Sequence, residues 1–390
     1  MSPVDLATLQ AAVADRYPRF LEELRQLVNI DCGSYTRAGV NRVADVVAAA
    51  LTALGAAIER TPHRPGPGEA ALGDLVVGRI NGTGPRLLLI GHMDTVFPEG
   101  TAADRPFRTD GDRALGPGVG DMKGGLLAGL HAIAALHVVG VRPNLTFVAN
   151  PDEEIGSPFS TPHIQGLVAA HDAALVLECA RANGDIVSAR KGIADYEIRF
   201  TGRAAHAGVE PEKGRSAILE ASRQVVALHA LNGRWPGVTV NAGVIEGGSR
   251  PNVVAGSCRI ELDVRAVSVA EFDLAAAEVS RIVNHPTTDG VTAELRETAH
   301  HPPMERTPAT ARLVDLATTI AGELGFAVHD AATGGASDAN TTSAAGVPTL
   351  DGLGPIGGDD HSVDEWLDLA SVVARMTMLA GLVARIGEAL

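Results

Sequence analysis

Leu87-Leu88-Leu89-Ile90-Gly91-His92-Met93-Asp94-Thr95-Val96 decides how this chain is read. The apolar run predicts a buried strand, and successive side chains on a strand point to opposite faces. His92 and Asp94, two apart, therefore leave the strand end on the same side. Such a pair lets one residue bind a metal while the other orients it or handles protons. The plain alternative is a capping aspartate beside an ordinary polar histidine. The surrounding chain has to decide between them.

Moving outward, the first half of the chain alternates strand and helix patterns. Residues 41–55 and 123–139 carry helical periodicity, while 74–80, 86–92, 144–150 and 173–179 read as short buried strands. That alternation predicts an α/β layer with a largely parallel sheet. In such sheets ligands sit beyond the carboxyl ends of the strands. From about residue 192 the strands gain one wet face. Tyr196, Ile198 and Phe200 alternate with Glu197 and Arg199, and Cys258, Ile260, Leu262 and Val264 with Arg259, Glu261, Asp263 and Arg265. Helices fit 214–231 and 269–284, and further strands fit 237–246 and 291–298. The order is β-α-β-β-α-β, a ferredoxin-like unit. Pro302 and Pro303 close it, and 308–390 return to helix–strand–helix. The expected organisation is a two-domain α/β protein: an outer domain of residues 1–191 and 303–390, interrupted by an inserted domain of residues 192–302.

The composition narrows the function. The chain has 390 residues, 45% hydrophobic and 20% charged, which suits a globular core. Aromatic residues are 3%, so Ala, Val and Leu must fill that core. A net charge of −15 argues against nucleic-acid and anionic-membrane partners, both of which want a basic face. Cys32, Cys179 and Cys258 show no CxxC spacing and suit a reducing cytoplasm. Met1 to Leu27 reads as an amphipathic helix without the basic-then-apolar order of a signal peptide. The longest apolar stretch, Leu126 to Val141, is too short and too interrupted to span a bilayer. A cytoplasmic enzyme is the expectation.

Five segments of the outer domain place metal-capable side chains just after apolar strands or in glycine-rich loops. They are His92-Met93-Asp94, Gly118-Val119-Gly120-Asp121, Pro151-Asp152-Glu153-Glu154, Glu178 after Leu175-Val176-Leu177, and Asp360-His361. Any one could be a helix cap, but five at strand ends of one domain are hard to assign to capping. Three carboxylates and two neutral imidazoles nearly balance two divalent cations bridged by one hydroxide, roughly 3.5–4 Å apart as in two-metal hydrolases. Mixed imidazole and carboxylate ligands favour zinc, with cobalt or manganese as substitutes. Where a strand enters a loop, one of Glu153 and Glu154 can ligate while its neighbour faces the reacting water.

In these segments together the chain resembles the M20 family of di-zinc peptidases and amidohydrolases. Within it, the likeness is greatest to glutamate carboxypeptidases of the bacterial folate-hydrolysing type. The matching stretches are Gly91 to Val96, Gly116 to Gly125, Asp152 to Ser157, Gly202-Arg203-Ala204-Ala205-His206-Ala207-Gly208, Gly334 to Ala339, and Asp360-His361-Ser362. The resemblance implies that Asp121 bridges two zinc ions, with His92 and Glu178 completing one site and Glu154 and His361 the other. It implies Glu153 as general base and then acid, and Asp94 as the residue that orients His92. The inserted domain would be a lid through which a homodimer forms, and His206 would reach the partner's active site to stabilise the oxyanion. Arg265 sits where the family holds the substrate carboxylate; its bland alternative is a sheet-face arginine paired with Asp263. Asn252, Gly335 and Lys191, one of three lysines, are further substrate-contact candidates. Cys179 stands where proline is common and Gly120 where alanine is frequent.

The implied reaction is hydrolysis of an amide in a small peptide or N-acyl amino acid, releasing a C-terminal, glutamate-like amino acid. An N-acyl-amino-acid deacylase using the same residues is the alternative. A non-catalytic binding protein on the same fold is another, although every expected ligand and Glu153 are present. Other chemistries fit poorly. Lys123 is followed by Gly124 rather than Ser or Thr, so there is no P-loop. Gly335-Ala336-Ser337-Asp338-Ala339 lacks the last glycine of a nucleophile elbow, and no HExxH occurs.

Overall fold

A computed structural model describes residues 4–390. They form two compact units. The first is Met1–Ser188 with Arg306–Ala332 and Ser337–Leu390; the second is Ala189–Glu305 with Thr333–Ala336.

Two helices, Leu6–Ala14 and Tyr17–Val28, stand where one was expected; the Met1–Pro3 part of that expectation lies outside the described residues. Pro18 has no N–H for the carbonyl of Ala14, so the helix stops and restarts with Pro18 in its first turn. Asp5 caps the first helix, its carboxylate accepting from the N–H groups of Ala7 and Thr8.

The first unit is built on a six-stranded sheet. Its order is Ala57–Thr61, Leu75–Ile80, Pro143–Asn150, Thr83–His92, Ala173–Val176, Thr349–Leu350. The last four are mutually parallel, as the alternating pattern predicts. Leu75–Ile80 runs antiparallel to Pro143–Asn150, and Ala57–Thr61, which the sequence reading passed over, pairs antiparallel to it in turn. The reason is the connection. Only Asn81 and Gly82 separate Leu75–Ile80 from Thr83–His92, far too few for a parallel crossover. Gly82 is needed there, because a Cβ would fall 2.2 Å from the backbone oxygens of Arg142 and Pro143. The core is Leu, Val, Ile and Ala with Phe20 and Phe147. Helix Gly125–Val138, buried along nearly its whole length, packs against Val372–Arg385 and Leu6–Ala14. No helix of the described residues is long and apolar enough to cross a membrane.

The second unit is an antiparallel sheet in the order Thr239–Gly247, Ser257–Ala266, Gly192–Thr201, Thr292–His301. Ile198, Phe200, Ile260, Leu262 and Val264 bury one face in a core shared with helices Ala217–His229 and Val269–Val283. On the other face the register sets Glu197 opposite Glu261 and Arg199 opposite Arg259. Like charges directly opposite are unfavourable, and short ion pairs offset them: Glu197 binds Arg199 at 2.8 Å and Arg296 at 3.3 Å.

Glu278 on helix Val269–Val283 supplies a pH test for this unit. Hydrogen bonds from Arg281 and Arg234 lower its carboxyl from 4.5 to about 2. A depressed acid stabilises the fold above its unfolded pKa and loses that contribution as pH falls through the folded one. The thermal-midpoint gap between wild type and Glu278→Gln should therefore shrink between about pH 5 and about pH 2. A gap that is flat over this range would show that the ion pairs do not contribute.

Candidate metal centre

The parallel strands deliver their polar residues to one edge. Thr83–His92 ends on His92, Pro143–Asn150 leads into Asp152-Glu153-Glu154, and Ala173–Val176 is followed by Leu177-Glu178. Asp121 comes from the tight Val119–Gly124 turn just before helix Gly125–Val138, and its peptide bond to Met122 is cis. The close seating of that helix depends on glycine. A Cβ on Gly125 would fall 1.8 Å from the carbonyl oxygen of Leu177, so only glycine lets the turn carrying Asp121 approach Glu178.

Asp121 lies at the middle of the cluster. Its Oδ1 is 3.0 Å from Nε2 of His92, and its Oδ2 is 3.1 Å from Nε2 of His361. Glu178 Oε1 lies 3.6 Å from His92 Nε2, and Glu154 Oε2 lies 3.1 Å from His361 Nε2. His92 is buried, whereas His361 sits on an exposed loop in the left-handed region at φ 62°. Two overlapping trios have ligand atoms within 4.8 Å of one another: His92, Asp121, Glu154 and His92, Glu153, Glu178.

Asp94 organises this from below and does more than orient one ring. The Nδ1–H of His92 donates to the Asp94 carbonyl at 3.0 Å, which turns the Nε2 lone pair toward the carboxylates. Asp94 Oδ1 and Oδ2 accept from the backbone N–H groups of Glu153 and Glu154, each at 3.1 Å, and Oδ2 also accepts from Ser34 at 2.7 Å. Asn150, Ser157 and Asp338 form a buried hydrogen-bond network beneath the same loop. The asparagine carbonyl also holds the Asp152 N–H.

Electrostatics mark the cluster as short of positive charge. Burial alone would lower the His92 imidazole, but Glu178, Asp121, Asp94 and Glu153 raise it well above 6.5. Hydrogen bonds to Asp121 and Glu154 push His361 up to about 11. Burial, with Glu178, Asp338 and Glu154 nearby, raises Glu153 well above the usual carboxyl range against the pull of His92. Burial likewise raises Glu154, whose Oε1 is buried without a hydrogen-bond partner among the described residues. That orphaned oxygen, and a His92 Nε2 facing two carboxylates, are what divalent cations would satisfy. The residues fit a metal site.

Glu365, which the sequence reading passed over, holds the turn carrying Asp121. Its Oε2 accepts from Gly118 N–H at 2.8 Å, and its Oε1 from Gly120 at 2.8 Å and Asp121 at 3.0 Å. Burial drives its carboxyl up to about 7 despite those bonds. Ser34 and the Asn150 network were also unforeseen. Asp360, one of the five segments, is 3.6 Å from the buried thiol of Cys179.

The remaining sequence candidates belong to the second unit. His206 is exposed, its Nδ1 accepting from the Gly208 N–H at 3.2 Å, and Asn252 is exposed on the neighbouring loop. Arg265 pairs with Asp263 at 3.0 Å, the bland alternative of the sequence reading, and donates to the Gly334 carbonyl at 2.8 Å. Gly335 accepts from Arg190 at 3.1 Å, and the Lys191 N–H donates to Thr333.

Histidines and carboxylates gathered over the carboxyl edge of a parallel sheet, with ligand atoms turned toward one another, define a protein of α/β class with a site able to hold metal. Comparison with known proteins narrows this. The model of peptidase family M20/M25/M40 matches residues 88–385. Carboxypeptidase G2 of Pseudomonas sp. (strain RS-16) is 31% identical over 96% of this chain and 91% of its own. An acetylornithine deacetylase of Myxococcus xanthus is 30% identical over 65% of this chain and 69% of its own. The crystal structure of aminopeptidase PepT from Bacillus cereus shares the fold at 22% identity, with a TM-score of 0.77 over 95% of this chain and 98% of that one. The chain belongs to peptidase family M20/M25/M40 and is a hydrolase.

Proposed function

We propose that this protein hydrolyses an amide bond in a small peptide or N-acyl amino acid and releases the C-terminal, glutamate-like amino acid. The observation that carries the reading is Asp121, whose two oxygens each meet a different histidine, with Glu178 beside one and Glu154 beside the other. That symmetry suits a carboxylate shared by two cations. His92 and Glu178 would complete one site and Glu154 and His361 the second, with zinc favoured and cobalt or manganese as substitutes. When bound, the cations supply the positive charge that polarises the amide carbonyl and acidifies the attacking water.

The protein's own groups do the rest. Glu153 takes a proton from the water as its oxygen bonds to the carbonyl carbon. It then gives that proton to the leaving nitrogen as the carbon–nitrogen bond breaks. Asp94 fixes both the His92 ring and the backbone of the two glutamates. In a homodimer formed through the second unit, His206 of one copy would hydrogen-bond the oxyanion at the other copy's site. Arg265 would hold the substrate carboxylate, with Asn252, Gly335 and Lys191 as further contacts. The cysteine pattern supports a cytoplasmic setting.

The N-acyl-amino-acid deacylase remains a second reading, supported by the relative named acetylornithine deacetylase. The test is amino-acid release from a panel of dipeptides and N-acyl amino acids by protein stripped with chelator and refilled with zinc. Zinc-restored cleavage favouring C-terminal glutamate or aspartate is expected. Restored cleavage with an apolar or basic preference would move the protein to the deacylase reading. No turnover on any substrate with zinc bound would overturn amide hydrolysis for this panel's chemistry.

A further inference from the structure

A cavity lies in the first unit, and none of the proposed metal ligands lines it. It has a volume of about 460 Å³; Arg16, Arg19, Glu23, His131, His137 and Arg142 form its polar half, and alanine, leucine and glycine at the ends of two helices form the other half. Three guanidinium groups face one carboxylate here, in a chain whose net charge is −15. Glu23 is already engaged, with Arg19 at 2.7 Å and His131 Nε2 at 2.8 Å.

The unmet groups are concentrated here. Five buried side-chain nitrogens or oxygens lack a hydrogen-bond partner among the described residues, and three belong to this cavity: Arg16 Nε, His131 Nδ1 and His137 Nε2. Arg142 donates to His137 Nδ1 at 3.3 Å, so the ring hydrogen sits on the unmet Nε2. His131 gives its Nε2–H to Glu23, and burial lowers its pKa, so the neutral ring leaves Nδ1 as an unmet acceptor. Helices Arg37–Ala53 and Gly125–Val138 both end at this cavity, and cations do suit helix C-termini. That accounts for basic residues being present but not for buried donors left unpaired, each of which carries a cost. Burial and repulsion from Arg19 lower the pKa of Arg16, so the site would gain from negative charge.

We infer that this cavity binds a small oxyanion of the phosphate type, with Arg16 and His137 as donors on its floor, His131 Nδ1 accepting from a P–O–H, and Arg19 and Arg142 as its rim. A tetrahedral oxyanion offers several acceptors at once, and arginine suits it through paired N–H groups.

The probe is inorganic phosphate, added to the metal-loaded protein, with sodium chloride at matched ionic strength as control. Phosphate should raise the thermal midpoint saturably, by about 3–8 °C at a hundredfold excess over Kd, while chloride leaves it unchanged. Titration calorimetry should show binding weakened at least about tenfold in Arg142→Ala and in Arg16→Met, with metal content unchanged. Arg142 is exposed, so that variant decides the matter if Arg16→Met fails to fold. Equal responses to phosphate and chloride would overturn the site. So would phosphate binding that persists in both variants, because the anion would then lie elsewhere, the metal centre included.

Discussion

Glu153→Gln should lower kcat by about 10²–10⁴-fold, the usual worth of general acid–base catalysis, while the protein keeps its full metal content. The amide replaces one oxygen and preserves side-chain volume, so the loop's backbone bonds to Asp94 should survive. What disappears is the ability to accept and return a proton. The paired variant Glu154→Gln should instead lose metal, because Glu154 Oε2 faces His361 and its other oxygen is the buried orphan. The comparison has force because geometry places Glu153 as well as Glu154 among potential ligands. Metal analysis beside kinetics separates them. Metal and activity lost together in Glu153→Gln, with metal retained in Glu154→Gln, would exchange the two roles.

The parts of the cluster differ in how legible they were. His92, Glu153, Glu154 and Glu178 announce themselves because each follows an apolar run, and a strand that ends in polar side chains places them at the sheet edge. The parallel order of those strands follows from the same runs. The split of Asp121 between two histidines does not, since a glycine-rich turn has no period to read; family likeness supplied that expectation. Asp94 shows the same limit. Its separation from His92 was visible, but its bonds to Glu153 and Glu154 span 59 and 60 residues, and no local pattern encodes them. Ala57–Thr61 was missed, and so was the antiparallel direction of Leu75–Ile80, although the two-residue link after Ile80 excludes a crossover. Pro18 likewise marks the break between the first two helices. These were signals passed over, whereas Glu365 carried none. Asp364-Glu365-Trp366 reads as a charged loop, and only folding brings that carboxylate beneath a turn more than 240 residues earlier.

Glu365→Ala should therefore weaken metal binding as strongly as the loss of an outer-shell partner does elsewhere, about 10–100-fold. The substitution leaves the N–H groups of Gly118, Gly120 and Asp121 without their acceptor. Each buried donor so orphaned costs about 1–3 kcal/mol. Shedding the buried carboxylate recovers part of that, so the net loss of stability should be about 2–5 kcal/mol. The effect on metal arises because the same bonds fix the backbone at Asp121, whose two oxygens serve both histidines. Glu365→Gln keeps one acceptor oxygen and should fall between wild type and Glu365→Ala in both measurements. The experiment is competition for zinc against a chelator of known affinity, run beside thermal unfolding of the metal-free proteins. Wild-type zinc retention in Glu365→Ala, even with a lowered midpoint, would mean that the turn holds Asp121 without this carboxylate. Weakened zinc binding with an unchanged midpoint would place the role of Glu365 in metal retention alone. The geometry predicts that both fall, because one carboxylate serves the fold of the turn and the position of the ligand it carries.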